Sequence, residues 1–424
     1  MDSNGPIWYP FTQMKLATEP IHIMRGAGAL LSDKDGKLYI DAVSSWWTNI
    51  HGHANAYIAQ KLYEQSLQLE HVIFAGFTHT PAIKLALRLL IHTEGHFSKV
   101  FFSDNGSTAV EVALKMAIQY HSNTGSSKKT IIAFENSYHG DTFGSMSVSD
   151  RGAFTQPFHD KLFDVTFITP PLPGKEEESL KQLQNCLNKN DVAAFIYEPL
   201  VMGAGGMLMY QPEHLEALLN LAKNAGVICI ADEVMTGFYR TGKMFASHYC
   251  ETRPDIMCLS KGITGGTMAL GVTLCSTKIF DAFYSDDKMK ALYHGHSYTA
   301  NPLTCAAANA SLDIIEQAGF TDNVVSITNI QSDFAERLKQ FKTAENKKVE
   351  NIRQHGTILA FDVITPHQTG YFNTIRDEMY QFFIANGVLL RPLGNTIYIM
   401  PPYCINVEQM VKIHAVILAY LAQP

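Results

Sequence analysis

Several short runs in the middle of the chain are apolar at nearly every position, not at every second one. They are TIIAF (130–134), AAFIYE (193–198), GVICIADE (226–233), DIMCLS (255–260) and GVTLC (271–275), preceded by KVFFS (99–103). A strand with one wet face alternates polar and apolar residues, whereas a strand covered on both faces does not. The pattern predicts a mostly parallel sheet wrapped by helices, an α/β fold. Helical stretches lie between the runs. Residues 107–121 place Val110, Leu114, Ala117 and His121 on one face, with Glu111 and Lys115 spaced for an i,i+4 ion pair. PEHLEALLNLAKNAG (212–226) reads as a helix that stops on Gly226.

From about residue 311 the texture changes. A long amphipathic stretch is followed by a Lys/Glu-rich segment (342–353) and by two short strand candidates, TILAFDV and TIYIMP. This predicts a large domain over 51–310 and a smaller α+β domain built from 1–50 and 311–424. A chain of 424 residues with 46% hydrophobic residues can fill two cores of that size.

Composition narrows the function classes. The formal net charge of −7 gives no electrostatic footprint for nucleic acid. No apolar run approaches the roughly 18 residues that a membrane span needs. The opening MDSNGPIWYPFTQMK has neither a basic n-region nor an apolar core, so a secretory signal is not expected. Seven scattered cysteines contain no C-x-x-C pair and do not form a disulfide framework, which points to a cytoplasmic protein. Among 17 histidines there is no H-E-x-x-H, and the His51/His53 and His294/His296 pairs lack neighbouring carboxylate or thiol ligands, so no metal site is expected.

In α/β sheets, ligands bind beyond the carboxyl ends of the strands. Three such ends carry chemistry here. GVICIADE ends in a carboxylate, Asp232. DIMCLSKG delivers an amine, Lys261. KVFFSDNGS turns into a helix at Gly106-Ser107, whose backbone N–H groups and hydroxyl suit an anion. Singly these read as a strand-end cap, a solvated lysine and a turn. Together they meet the needs of pyridoxal phosphate: a phosphate cradle, a carboxylate that keeps the pyridine nitrogen protonated, and a lysine for the aldehyde. Tyr138, in ENSYHGDTFG, can stack on one face of the ring with Val234 on the other.

The segment ADEVMTGFYRTGKMFASHYCETRPDIMCLSKGITGG (231–266) resembles the cofactor-lysine signature of the class III aminotransferases. It carries D-E-x-x-T-G-F-x-R-T-G and sets Lys261 29 residues after Asp232. FFSDNGSTAVEVALKMA and YHGDTFGSMSVSD are similar to the family's phosphate turn and stacking-tyrosine segments. The resemblance runs over essentially the whole chain. It implies the pyridoxal-phosphate fold of type I and a homodimer, because HGHSYTANPLTCAAANASL resembles the loop that reaches into the neighbouring subunit's site. Gly295, His296 and Ser297 would then serve the partner's cofactor and substrate.

Within the family, WYPFTQM, DAVSSWWTNIHGH, HVIFAGFTHTPA, VMGAGGM and LLRPLGNTIYIMPPY are similar to the branch that serves biotin synthesis. That likeness implies amination of 7-keto-8-aminopelargonate to 7,8-diaminopelargonate. It places Phe11, Trp46, Trp47, Tyr138 and Arg391 at the substrate, with Arg391 on the distant carboxylate. The implied amino donor is S-adenosylmethionine. Two departures leave lysine open as donor: Phe11 stands where that branch has tyrosine, and the loop reads H-G-H-S-Y-T, with His296 in place of a proline. Another class III ω-amino-acid aminotransferase is the nearest rival, although Trp46-Trp47 and VMGAGGM argue against it. A nucleotide-binding protein is disfavoured, because no G-x-G-x-x-G or P-loop follows a strand.

Overall fold

The computed structural model describes residues 5–152, 154–342, 348–366, 370 and 373–423, so positions 343–347 of the Lys/Glu-rich segment lie outside the described residues. The apolar runs are strands of one seven-stranded sheet. Its order from one edge is Lys99–Ser103, Gly271–Cys275, Ile256–Leu259, Ile228–Asp232, Val192–Tyr197, Thr130–Phe134 and Val165–Ile168. Gly271–Cys275 runs antiparallel to both neighbours, and the other pairings are parallel. The last strand was not expected. VTFI is only half-buried at the sheet edge and carries a weaker apolar signal.

Continuous burial arises because helices cover both faces. Along Ile228–Asp232, Ile228 and Ile230 pack with Val110, Leu114 and Ala117 of the helix Gly106–Asn123. Cys229 and Ala231 point the other way, toward Leu215, Leu218 and Ala222 of the helix Pro212–Asn224. The two-residue period of a strand thus feeds two cores. Each isoleucine buried in this way contributes about 1.5–3 kcal/mol.

One expected contact is not made. Glu111 does not pair with Lys115. Its Oε1 accepts from Thr142 Oγ1 (2.5 Å), Gly144 N (2.7 Å) and Ser145 N (3.0 Å), at the start of the short helix Phe143–Val148. Lys115 Nζ instead lies 3.1 Å from His294 Nδ1. Three donors at a helix N-terminus outweigh a solvent-screened surface pair, which is worth about 0–1 kcal/mol.

The N-terminal strands Ile23–Ala27, Leu30–Asp33 and Leu38–Asp41 form a small sheet that Val388–Leu389 joins in parallel, with Val388 opposite Ile40. A third sheet contains Val349–His355, Ile358–Val363 and Thr396–Ile399, which include the two strand candidates read from the C-terminal part. Among the described residues, no helix is long and apolar enough to cross a membrane. Nor do these residues place three or more His, Cys, Asp or Glu side chains together to hold a metal ion.

Candidate active site

The parallel strands end on one edge, and that edge collects the polar groups. Asp232 sits opposite Cys258 in the ladder, so the carboxylate and Lys261, three residues beyond Cys258, emerge from adjacent strands. Lys99–Ser103 ends at the same region through its pairing with Gly271–Cys275. There the Asn105 side chain caps the following helix by accepting from Thr108 N at 2.9 Å. The Gly106 and Ser107 amides come first in that helix and have no partner within it. Chain segments crowd around them. A Cβ on Gly106 would lie 2.7 Å from Val234 Cγ1, and one on Gly140 (φ +130°) would lie 2.3 Å from Ser107 Oγ. Only glycine fits at either point. Ser107 Oγ lies 2.7 Å from Thr142 Oγ1 and accepts from Thr142 N at 3.0 Å, which fixes the hydroxyl at the mouth of the turn.

Asp232 is buried, and its carboxylate is held on both oxygens. Oδ1 accepts from Val234 N at 3.1 Å, and Oδ2 lies 2.7 Å from His139 Nδ1. His139 Nε2 is buried and has no hydrogen-bond partner among the described residues. The preceding residue, Tyr138, donates its hydroxyl to Asp141 Oδ2 at 2.9 Å, and burial raises its phenol pKa far above the ordinary value. Its amide donates to Glu198 Oε1 at 3.0 Å.

Lys261 begins a short 3-10 turn, Lys261–Thr264, with φ +44°, a left-handed conformation that an L side chain adopts only under constraint. Its Nζ stands 4.5 Å from the centre of the Trp47 ring. Burial lowers the amine to about 8; Arg240 adds to this, while Asp232 and Glu198 oppose it. A much larger fraction of the amine is therefore neutral, and nucleophilic, near neutral pH than for an ordinary lysine.

The Trp pair divides. Ser44, Ser45 and Trp47 all have positive φ, in a kinked turn that the buried Asp41 carboxylate stitches by accepting from Val43 N and Ser45 N. The kink sends Trp47 inward, where its Nε1 donates to Tyr398 OH at 3.0 Å. Trp46 turns outward, with Phe11 at 5.6 Å and the Arg391 guanidinium 4.9 Å above its ring. Phe154, which sequence reasoning did not pick out, meets Phe11 edge-on at 6.0 Å. The Lys261 amine thus faces the inward Trp47, while the Arg391 guanidinium sits over its outward neighbour Trp46. Among the described residues, Arg391 makes no ion pair.

Gly295 and Ser297 are exposed. Their loop is tied by His294 to Lys115, by Tyr298 to His71 (rings 5.3 Å apart) and by Asn301 Nδ2 to the Glu70 carbonyl, at 3.1 Å. His296 Nδ1 accepts from Tyr298 N at 3.2 Å, and His296 Nε2 is buried with no hydrogen-bond partner among the described residues. No hydrogen bond, ion pair or ring contact among the described residues joins these loop positions to Lys261 or Asp232 of the same chain. The reading also passed over Thr142, His139 and Glu198. Each follows a recognisable strand, yet a single polar residue at a strand end gives no signal of its own.

The site fits pyridoxal phosphate. It offers a helix start crowded by glycines for the phosphate, a buried carboxylate for the ring nitrogen, and a buried lysine poised to be neutral for the aldehyde. Comparison with known proteins agrees. The family model for aminotransferase class-III matches residues 13–421. The adenosylmethionine-8-amino-7-oxononanoate aminotransferase of Synechococcus elongatus is 44% identical over 425 residues, covering 98% of each chain. The enzyme of the same name from Helicobacter pylori is 39% identical, covering 96% of this chain and 93% of its own. Among solved structures, that of the Methanocaldococcus jannaschii enzyme of this name superimposes with a TM-score of 0.92 at 33% identity, covering 98% of this chain and 96% of its own. A PLP-bound amine transaminase from an uncultivated Pseudomonas species gives 0.91 at 29% identity, covering 99% and 98%. The chain is a pyridoxal-phosphate-dependent enzyme of fold type I and belongs to the class III aminotransferase family.

Proposed function

We propose that this aminotransferase moves an amino group onto 8-amino-7-oxononanoate, giving 7,8-diaminopelargonate for biotin synthesis, and that its donor is S-adenosylmethionine. The observation that carries the reading is the pair of adjacent tryptophans, one against the Lys261 amine and the other under the Arg391 guanidinium. A keto acid with a long aliphatic chain and a terminal carboxylate matches aromatic side chains beside a guanidinium that makes no ion pair among the described residues. The relatives' names state the same acceptor and donor.

Pyridoxal phosphate supplies the aldehyde that takes the amino group from the donor and passes it to the acceptor. The chain's own residues do the rest. Gly106, Ser107 and Thr142 hold the phosphate, with Ser297 and His296 of the neighbouring copy closing the cradle. Asp232, oriented by His139, holds the proton on the ring nitrogen. Tyr138 and Val234 would flank the ring. Lys261 would hold the aldehyde and serve as the acid and base that moves the proton at the donor's α-carbon. Arg391 and Trp46 orient the keto acid, and Phe11 presents a ring face to the donor.

Mixing the purified enzyme with 8-amino-7-oxononanoate and either S-adenosylmethionine or lysine, with mass-spectrometric detection of 7,8-diaminopelargonate, tests both halves of the reading. Product is expected with S-adenosylmethionine and not with lysine. Product with lysine alone would overturn the donor; no product with either, alongside active transfer between ω-amino acids, would overturn the acceptor.

The same reading makes the enzyme a cytoplasmic homodimer whose Gly295–Ser297 loop completes the partner's site. In its support, the chain exposes 19701 Å², against roughly 16,000 Å² for a compact monomer of its mass. Exposed Ile83, Leu87 and Ile91 also form a one-sided stripe on the helix Thr80–His92. Lys261→Ala protomers mixed with Ser297→Ala protomers are expected to recover activity above the sum of the separate variants, up to about a quarter of wild type for random reassortment into twofold dimers. Additive activities, or a fully active monomer in sedimentation, would refute it. Residues 51–310 form the cofactor domain in this reading, with 1–50 and 311–424 as the smaller one, a division supported by the pairing of Leu38–Asp41 with Val388–Leu389.

A further inference from the structure

Glu198 is a buried carboxylate that makes no ion pair among the described residues. It directly follows the strand Val192–Tyr197, whose Tyr197 lies opposite Ala231, so Glu198 reaches the same sheet edge as Asp232. Its two oxygens serve different parts of the pocket wall. Oε1 accepts from Tyr138 N at 3.0 Å and Oε2 from Gly203 N at 2.8 Å. Gly203 is itself pressed against the aromatic wall: a Cβ there would lie 2.6 Å from Met235 Sδ and 3.1 Å from Trp47 Cζ3. One carboxylate therefore ties the ring that faces the cofactor to the turn that backs the tryptophan under Lys261. Burying an unpaired carboxylate is costly, and two backbone N–H groups offset only part of that cost. A purely structural tie could be made by a neutral acceptor.

We propose that Glu198 is a positioning residue of the cofactor pocket: it sets Tyr138 and the Gly203 turn against the ring and Trp47, and its negative charge supports the protonated state at Lys261. The groups around it fit that role. Its charge is felt by His139, Asp232 and Lys261, and Tyr210 donates its hydroxyl to the Glu198 carbonyl at 2.5 Å. Arg240 is the opposing cation at Lys261. Burial and the nearby Asp232 push the Glu198 carboxyl up to about 7, while His139 and the two amides pull it down.

This inference rests on Lys261 carrying the cofactor, which borohydride reduction and peptide mapping check separately in the wild type. Glu198→Gln keeps the shape, removes the charge and turns an N–H donor toward one of the two amides. In the substrate-free holoenzyme, the pH midpoint of the cofactor's visible band is expected to fall by about half a unit or more. The dissociation constant for pyridoxal phosphate is expected to rise about tenfold. A merely structural carboxylate would lower thermal stability and leave the midpoint in place. Glu198→Asp keeps the charge but cannot span both amides, so it is expected to hold the midpoint and weaken cofactor binding. An unchanged midpoint in Glu198→Gln would overturn the proposal, whatever the affinity. If that variant does not fold, unchanged cofactor affinity in Glu198→Asp would overturn it. An adduct mapping to another lysine would instead remove the site reading beneath it.

Discussion

Lys261→Ala is expected to reduce transamination by at least about a thousandfold, because one side chain performs both nucleophilic capture and proton transfer. The substitution isolates the side chain. Alanine meets the same left-handed φ of +44° as lysine, so no backbone strain is released or added. Asp232, His139 and the Gly106–Ser107 turn are untouched, and the variant should still take up cofactor noncovalently. The pH dependence of capture separates the two states further. An amine lowered from 10.5 to about 8 gains its neutral form as pH rises through 8. Covalent uptake of pyridoxal phosphate by the cofactor-free wild type should therefore climb with pH through a midpoint near 8 and level off about a unit above it; in Lys261→Ala that phase should be missing. After borohydride reduction, the pyridoxyl mass should sit on the peptide that contains Lys261. Retained turnover in the variant, or an adduct on a different lysine, would move the site.

What could be read from the sequence and what could not follow from the same physics. Strands covered on both faces announce themselves by unbroken apolar runs, which is why Ile228–Asp232, Ile256–Leu259 and their neighbours were legible together with the residues at their ends. Val165–Ile168 escaped because an edge strand is only half-covered. Ile23–Ala27 escaped because it is mostly exposed and alternates too little to stand out. Lys261 and Asp232 stand out in the sequence because residue type, strand end and spacing coincide. Glu198 shares the strand-end position but lacks a motif partner, and its meaning appears only when Tyr138 N and Gly203 N arrive from segments distant in sequence. Trp46 and Trp47 were read as one channel-lining pair. Their opposite directions depend on three positive-φ residues held by Asp41, and such a kink leaves no trace in hydrophobic periodicity. The Glu111–Lys115 pair shows the converse failure, where correct helical spacing lost to better donors from another segment.

Arg391→Ala is expected to raise KM for the keto acid by about 10- to 150-fold, the equivalent of one charged, bidentate hydrogen-bond pair at roughly 1.5–3 kcal/mol. Arg391 follows Val388–Leu389, which is paired to the N-terminal sheet, so its base is anchored while its guanidinium lies 4.9 Å from the Trp46 ring. Stacking on tryptophan holds the fork in place and contributes about 0.5–1 kcal/mol at an exposed site. Removing the guanidinium therefore loosens Trp46 as well, and a KM change alone would not separate the two effects. The half-reactions do. A plain alkylamine donor carries no carboxylate, so its single-turnover bleaching of the cofactor's visible band should be nearly unchanged in Arg391→Ala, while amination of 8-amino-7-oxononanoate is strongly impaired. Arg391→Lys restores the charge without the planar fork or the stack, and should recover only part of the loss. If both half-reactions fall equally, Arg391 acts by holding Trp46 and the wall, and the carboxylate of the acceptor must be bound elsewhere.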